Sequence, residues 1–140
     1  MGGFRCIVWD LMMTMQGRLL TIAGVAESLV GLAFLLAPGV TTALLLGAEP
    51  DSVGLMIARV AGVALLSLGI TCWGSRADAG GAARMGTLRA ITLYNAGAGL
   101  LLVMFAVMGK VSGPVVWTVG VLHVGFAAAF AASQRQTGRP

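Results

Sequence analysis

The sequence predicts an all-α integral membrane protein, an antiparallel four-transmembrane-helix bundle with both termini in the cytoplasm. The chain has 140 residues, of which 58% are hydrophobic and only 10% charged, where soluble domains carry about 25% charged residues. It also contains four apolar stretches that reach the roughly 20 residues a helix needs to cross ~30 Å of hydrocarbon. The predicted spans are Leu19–Ala37, Val53–Gly74, Thr87–Met108 and Val111–Ala132.

The segments outside these spans are short. Residues 1–18 carry apolar side chains at helical spacing, which favours an amphipathic helix in the membrane interface, with a partly ordered start as the alternative. Pro38 ends the first span, and Pro114 lies in the first turn of the fourth, where proline is tolerated. Residues 133–140 form a polar, basic tail. Little chain is left for a soluble domain.

The charged residues predict the orientation. Short loops rich in lysine and arginine stay in the cytoplasm. The opposite side has Glu49, Asp51 and a single cation, Lys110. This asymmetry predicts a multi-pass protein of the inner membrane, with both termini and the middle connection inside. The arginines on the cytoplasmic side are Arg5, Arg18, Arg76, Arg84, Arg89, Arg135 and Arg139.

Composition also bounds the partners and the chemistry. The basic residues lie at helix ends and not in one patch, so nucleic acid is not an expected partner. The bilayer, a partner membrane subunit or further copies of the chain are expected instead. One histidine and two distant cysteines cannot supply the three or four ligands of a zinc site. We therefore predict no metal and no cofactor, although His123 could formally serve as a single axial haem ligand.

The most informative residues are the polar ones at membrane depth, one in each span. Ionisable groups inside a span cost at least ~2.5–3.5 kcal/mol, so they normally face the bundle interior. Small residues lie three or four positions from each of these four side chains, and small residues mark helix contacts in membranes. We predict that the four converge in one intramembrane polar layer, with Tyr94, Ser28 and Ser67 as secondary members. The four are Glu27, Arg59, Asn95 and His123.

Two interpretations of this layer stay open. In the first, Glu27 and Arg59 form a buried pair while Asn95 and His123 hydrogen-bond between helices and fix their packing. In the second, the layer binds a proton or a ligand, as intramembrane carboxylates and histidines do in transporters. A contact with a partner subunit or a lipid is a further possibility.

The first half of the chain resembles a known group of proteins. The first span ends in Gly-Leu-Ala-Phe-Leu-Leu-Ala followed by Pro38, and the second contains Arg59-Val-Ala-Gly62 and then Gly69. This pattern, over roughly residues 19–75, resembles the small four-span DoxX-like membrane proteins and their uncharacterised relatives. The resemblance implies that Arg59 is a characteristic residue and that the protein is an accessory subunit of a membrane complex, such as a redox complex.

A second resemblance leads to the alternative function. Ala26-Glu27 in the first span is similar to the placement of the glutamate in small multidrug resistance exporters, which also have four spans. The strong arginine asymmetry and the third span around Tyr94 depart from that family. We predict a non-enzymatic accessory subunit or scaffold, with no catalytic residues. The alternative is a small proton-coupled transporter in which Glu27 carries the proton or substrate.

Overall fold

The protein is an all-helical chain. The structure, a computed structural model, describes residues 2–78 and 81–137, with side chains described between Thr14 and Arg135. Four of the helices are long and apolar enough to cross a membrane, as expected of a multi-pass membrane protein. Helix α2 is too short to cross. In the described part of the chain the helices are α1 (Gly2–Leu36), α2 (Pro38–Leu46), α3 (Ser52–Ser75), α4 (Ala82–Val107) and α5 (Val116–Thr137).

The connection between α1 and α3 contains α2, which the sequence analysis did not predict. Pro38 occupies its first turn, where the missing N–H costs nothing. Gly47 ends the helix in the left-handed conformation, with φ 84°, and its N–H donates to the Ala43 carbonyl at 2.8 Å. The Asp51 carboxylate then caps α3 by accepting from the Gly54 N–H at 2.8 Å. Local capping therefore sets both helix boundaries.

Two helix boundaries differ from the predicted spans. Helix α1 runs continuously from Gly2 through the segment predicted to lie in the interface. Helix α5 begins at Val116, after a turn at Pro114, so the residues from Val111 onward belong to a connection and not to the span. That connection packs on α2, because Ser112 N–H donates to the Leu46 carbonyl at 3.1 Å. Because the backbone at Ser112 is hydrogen-bonded to α2, helix α5 starts only after this connection.

Helices α1 and α3 form the tightest pair because glycines let their backbones touch. A Cβ added at Gly31 would lie 2.7 Å from the Leu66 nitrogen and 2.8 Å from the Gly62 carbonyl oxygen. A Cβ at Gly24 would lie 3.0 Å from the Gly69 carbonyl oxygen. Later residues of α1 thus meet earlier residues of α3. Close backbone approach replaces the hydrophobic effect, which does not draw helices together in lipid.

Helices α4 and α5 form the second pair, and an apolar cluster joins the two pairs. A Cβ at Gly99 would lie 3.0 Å from the Val124 nitrogen, so this pair also uses a glycine contact. Many large apolar side chains remain exposed, Leu93 and Leu29 among them, as expected for helices whose outer surface faces lipid. The buried cluster between the pairs consists of Leu20, Ala23, Cys72, Leu88, Ile91 and Phe130.

Candidate functional site

Glu27 lies on the inner side of α1 and is 7% exposed. It follows Gln16, Leu20 and Ala23 along the buried stripe of the helix. The Tyr94 side chain of α4 lies near its carboxyl group. A carboxyl at this depth therefore has a neutral phenol from another span as its neighbour.

A second polar contact joins α4 to α5. The Asn95 side chain is 1% exposed, and its Nδ2 donates to the Ile91 carbonyl at 2.9 Å. That bond orients the amide so that Oδ1 faces His123 Nδ1 at 2.8 Å. Because an amide oxygen only accepts, the histidine nitrogen that faces it donates. The bond therefore fixes the orientation of the His123 ring.

Tyr94 connects these two contacts into one cluster. The edge of one ring meets the face of the other between Tyr94 and His123, with centroids 5.5 Å apart and planes at 86°. The phenol thus lies beside both the Glu27 carboxyl and the imidazole of His123. We call Glu27, Tyr94, Asn95 and His123 the polar cluster. It draws on three spans, and Tyr94, predicted as a secondary member, is the residue that links the other groups.

Arg59 is not part of the polar cluster. Its side chain is exposed, whereas its neighbour Ala58 lies on the buried stripe of α3. On the Arg59 side of the helix, Met56 and Val63 are also exposed. Glu27 and Arg59 therefore do not form the buried pair that was the first of the two interpretations left open by the sequence.

The two serines predicted as secondary members also lie outside the polar cluster. Ser28 is half-buried on α1 where that helix touches Gly69. Ser67 is exposed and donates to the Val63 carbonyl of its own helix at 2.8 Å. A serine that bonds its own helix backbone satisfies its hydroxyl locally. Neither serine contributes to the site.

The structure contains a second set of buried polar contacts that was not predicted from the sequence. It lies at the end of the bundle where α3 ends and α4 begins. Arg84, 4% exposed, directs its guanidinium at the carbonyls of Ser75, the last residue of α3, and of Arg76, which caps that helix. Cations near a helix C-terminus interact favourably with the negative end of the helix dipole. The Asp78 carboxylate accepts from the backbone N–H of Arg84 at 3.3 Å, at the start of α4. The connection between these helices is thus held by charge at both helix ends.

Hydrogen bonds from glutamines tie α5 into the same end of the bundle. Gln16 Nε2 donates to the Ser133 carbonyl at 3.1 Å. Gln134 Nε2 donates to Thr92 Oγ1 of α4 at 2.8 Å. The signal that could have revealed Gln16 is its spacing, since it lies four residues before Leu20 on the stripe that carries Glu27. We call this end of the bundle, with Arg18, Arg76 and Arg84, the arginine-rich end.

The described side chains do not assemble a metal centre. Among the residues that the structure describes, no three histidine, cysteine, aspartate or glutamate side chains lie together as metal ligands would. Cys72 is buried in the apolar cluster. The polar cluster can accept, donate or hold a proton, because a carboxyl, a phenol and an imidazole are among its functional groups.

No known protein family, no curated protein and no solved structure matches this chain.

Proposed function

We propose that this protein is a non-enzymatic accessory subunit of a membrane complex, and that it binds its partner through the outer side of α3. The exposed position of Arg59 carries the proposal. Its side chain lies between Met56 and Val63, which are 60% and 54% exposed, on a span of 24 residues. We call these three residues the Arg59 face.

An arginine at membrane depth that faces lipid is costly. Insertion of arginine near a helix centre costs ~2.5–3.5 kcal/mol, although the long side chain can bend toward the headgroups. Arg59 is about 10 Å along the helix from Ser52, at ~1.5 Å per residue. A carboxylate or a row of carbonyls from a neighbouring subunit would offset this cost. A docked partner therefore gives Arg59 a function that lipid alone does not.

We further propose an antiparallel bundle in the inner membrane with both termini in the cytoplasm. The order of contacts between α1 and α3 supports opposite directions, because Gly24 meets Gly69 and Gly31 meets Gly62. The arginine asymmetry of the sequence supports the orientation. The resemblance to the DoxX-like group supports a redox complex as the kind of assembly.

Affinity purification from the native membrane in mild detergent tests the proposal. The wild type should retain a stoichiometric partner, visible in the intact-complex mass, and a redox partner would add a visible absorption spectrum. The variant Arg59→Gln should lower partner recovery at least tenfold, since removal of one member of a buried charge contact costs ~2–5 kcal/mol. Lys110→Gln, which removes an exposed cation outside the Arg59 face, is the matched control and should retain the partner. A colourless homo-oligomer, or equal recovery with Arg59→Gln, would contradict the proposal.

The polar cluster supports a second candidate function, a small proton-coupled transporter. Glu27 is buried and faces a phenol, and Arg59 does not neutralise it. Intramembrane carboxylates in such surroundings are typical of proton pathways. Here Glu27 would carry the proton, with Tyr94 and His123 as its neighbours.

Proton flux in liposomes with an internal pH-sensitive dye tests this second candidate. Glu27→Gln keeps the size and the acceptor oxygen of the side chain but cannot take up a proton, so it should abolish flux while the protein still folds. Glu49→Gln, which neutralises an exposed carboxylate, is the control and should leave flux unchanged. The transporter function would be refuted if the wild type shows no flux above protein-free liposomes, or if the Glu27→Gln variant conducts equally well.

A further inference from the structure

The outer side of the α1/α3 pair, facing away from the polar cluster, carries two grooves. The first has a volume of about 470 Å³ and lies at the arginine-rich end, where Thr14, Arg18, Thr21 and Arg76 line it. The second has a volume of about 250 Å³ and lies deeper along the same two helices. Its lining residues are Gly24, Val25, Ser28, Leu29, Gly69, Ile70 and Trp73.

The two grooves follow each other along one side of the helix pair. On α1 the first is lined by Arg18 and Ile22 and the second by Val25 and Leu29, at steps of three or four residues. Residues at this spacing share a helix face. On α3, Trp73 of the deeper groove lies three residues before Arg76 of the first. Together they form one path from the arginine-rich end toward the middle of the bilayer, which we call the α1/α3 groove.

The polarity of the α1/α3 groove changes along its length. The arginine-rich end of the groove is lined by Arg18 and Arg76, and among the described side chains no acidic residue lines either part. The Arg76 guanidinium packs 3.8 Å from the centroid of the Trp73 ring, which holds the charge at the junction of the two parts. The deeper part has Gly24 and Gly69 at its floor, where the two helix backbones touch, and mostly apolar side chains on its walls, with Ser28 adding one hydroxyl. A cationic end joined to an apolar channel is complementary to an anionic lipid.

We propose that the α1/α3 groove binds one anionic phospholipid. Arg18 and Arg76 hold the phosphate, since guanidinium groups bind phosphate through paired hydrogen bonds. One acyl chain lies in the deeper part, against Val25, Leu29 and Trp73. Basic pockets between transmembrane helices at the headgroup level bind anionic lipids in this manner. Two cations at one end of the groove favour a lipid with net negative charge over a zwitterionic one.

This inference does not rest on the proposed function. Arg59 and Arg76 lie on the same helix 17 positions apart, which at ~1.5 Å per residue is about 25 Å. Arg76 of the lipid site and the Arg59 face therefore lie at different depths along α3. The lipid-site proposal can therefore fail without affecting the proposed partner contact, and the reverse also holds.

Quenching of Trp73 fluorescence by brominated lipids tests the site. The substitutions Trp9→Phe and Trp117→Phe leave Trp73 as the only tryptophan of the three in the chain. The full-length protein is placed in phosphatidylcholine vesicles that contain the same mole fraction of either phosphatidylglycerol or phosphatidylcholine brominated on its acyl chains. We expect brominated phosphatidylglycerol to quench Trp73 several-fold more effectively. The double variant Arg18→Gln/Arg76→Gln should remove this preference, and Arg18→Gln alone, a change at an exposed side chain, should weaken it.

The control is Arg89→Gln, which removes an exposed arginine of α4 that does not line the groove. It should keep the full preference for phosphatidylglycerol. Equal quenching by both lipids in the wild type would overturn the proposal. So would an equal loss in Arg89→Gln, which would mean that the whole basic end attracts anionic lipid without a site. Weak quenching by both lipids, together with disulfide cross-linking of two copies through Val25→Cys, would assign the groove to a second copy of the chain.

Discussion

The close glycine contact between α1 and α3 predicts both the sign and the size of the stability change when alanine replaces a glycine. The substitution Gly31→Ala places a Cβ 2.7 Å from the Leu66 nitrogen and 2.8 Å from the Gly62 carbonyl oxygen, where ordinary contacts begin at 3.4 Å. Both neighbouring atoms belong to the backbone and cannot rotate away. The helices must therefore separate by about 0.7 Å, and gaps of that size forfeit a quarter or more of each van der Waals contact. Overpacking of this kind costs ~1–3 kcal/mol.

The matched control is Gly97→Ala, in the interior of α4, where an added Cβ meets no atom within 4 Å. Alanine improves helix propensity by up to ~1 kcal/mol in both variants. We therefore expect Gly31→Ala to destabilise the protein by a net of up to ~2 kcal/mol and Gly97→Ala to stabilise it slightly. Thermal unfolding in mild detergent, followed by tryptophan fluorescence, should show melting shifts of opposite sign. Equal shifts in the same direction would refute the close backbone contact between α1 and α3.

Two further substitutions test the polar contacts. A double-mutant cycle with Asn95→Ala and His123→Ala should give a coupling free energy near ~0.6 kcal/mol, the average for interhelical hydrogen bonds in membranes. If the unfolding free energies of the two single variants simply add, the 2.8 Å hydrogen bond between Asn95 and His123 is contradicted. Arg84→Ala should lower the free energy of unfolding by ~1.5–3 kcal/mol, because the terminal carbonyls of α3 lose a charged donor. Arg89→Ala, at an exposed arginine of the same helix, should change it by less than ~0.5 kcal/mol, and an equal loss would contradict the capping role.

Most of the fold could be predicted because span length and hydropathy are properties of local sequence. The inward faces of α1 and α4 could also be predicted, since Glu27 and Asn95 share stripes with small residues and both side chains are buried in the structure. The short helix α2 was missed because its signals, Pro38 and Gly47, lie only nine residues apart and are typical of a loop as well. Helices of this length depend on packing, which a single sequence does not display.

Arg59 shows why the orientation of α3 could not be predicted. The stripe predicted to face inward contained Arg59, Gly62, Leu66 and Gly69. The buried stripe contains Ala58, Gly62, Leu65 and Gly69. The two stripes share Gly62 and Gly69, but the buried one has Ala58 in place of Arg59 and Leu65 in place of Leu66. The helix is therefore rotated about its axis, by roughly half the width of a helix face, from the predicted orientation. Small residues on several sides of α3 make the pattern ambiguous, and only packing against α1 selects one solution.

Site-specific photocross-linking in native membranes tests most directly whether the Arg59 face binds a partner. A photoreactive amino acid at Val63, beside Arg59, should form an adduct with one partner protein of defined mass. The same amino acid at Leu93, which is 75% exposed on α4, serves as the control and should give no such adduct. If Val63 yields only lipid adducts, cross-links only a second copy of the chain, or matches Leu93, then the outer side of α3 does not bind a partner subunit.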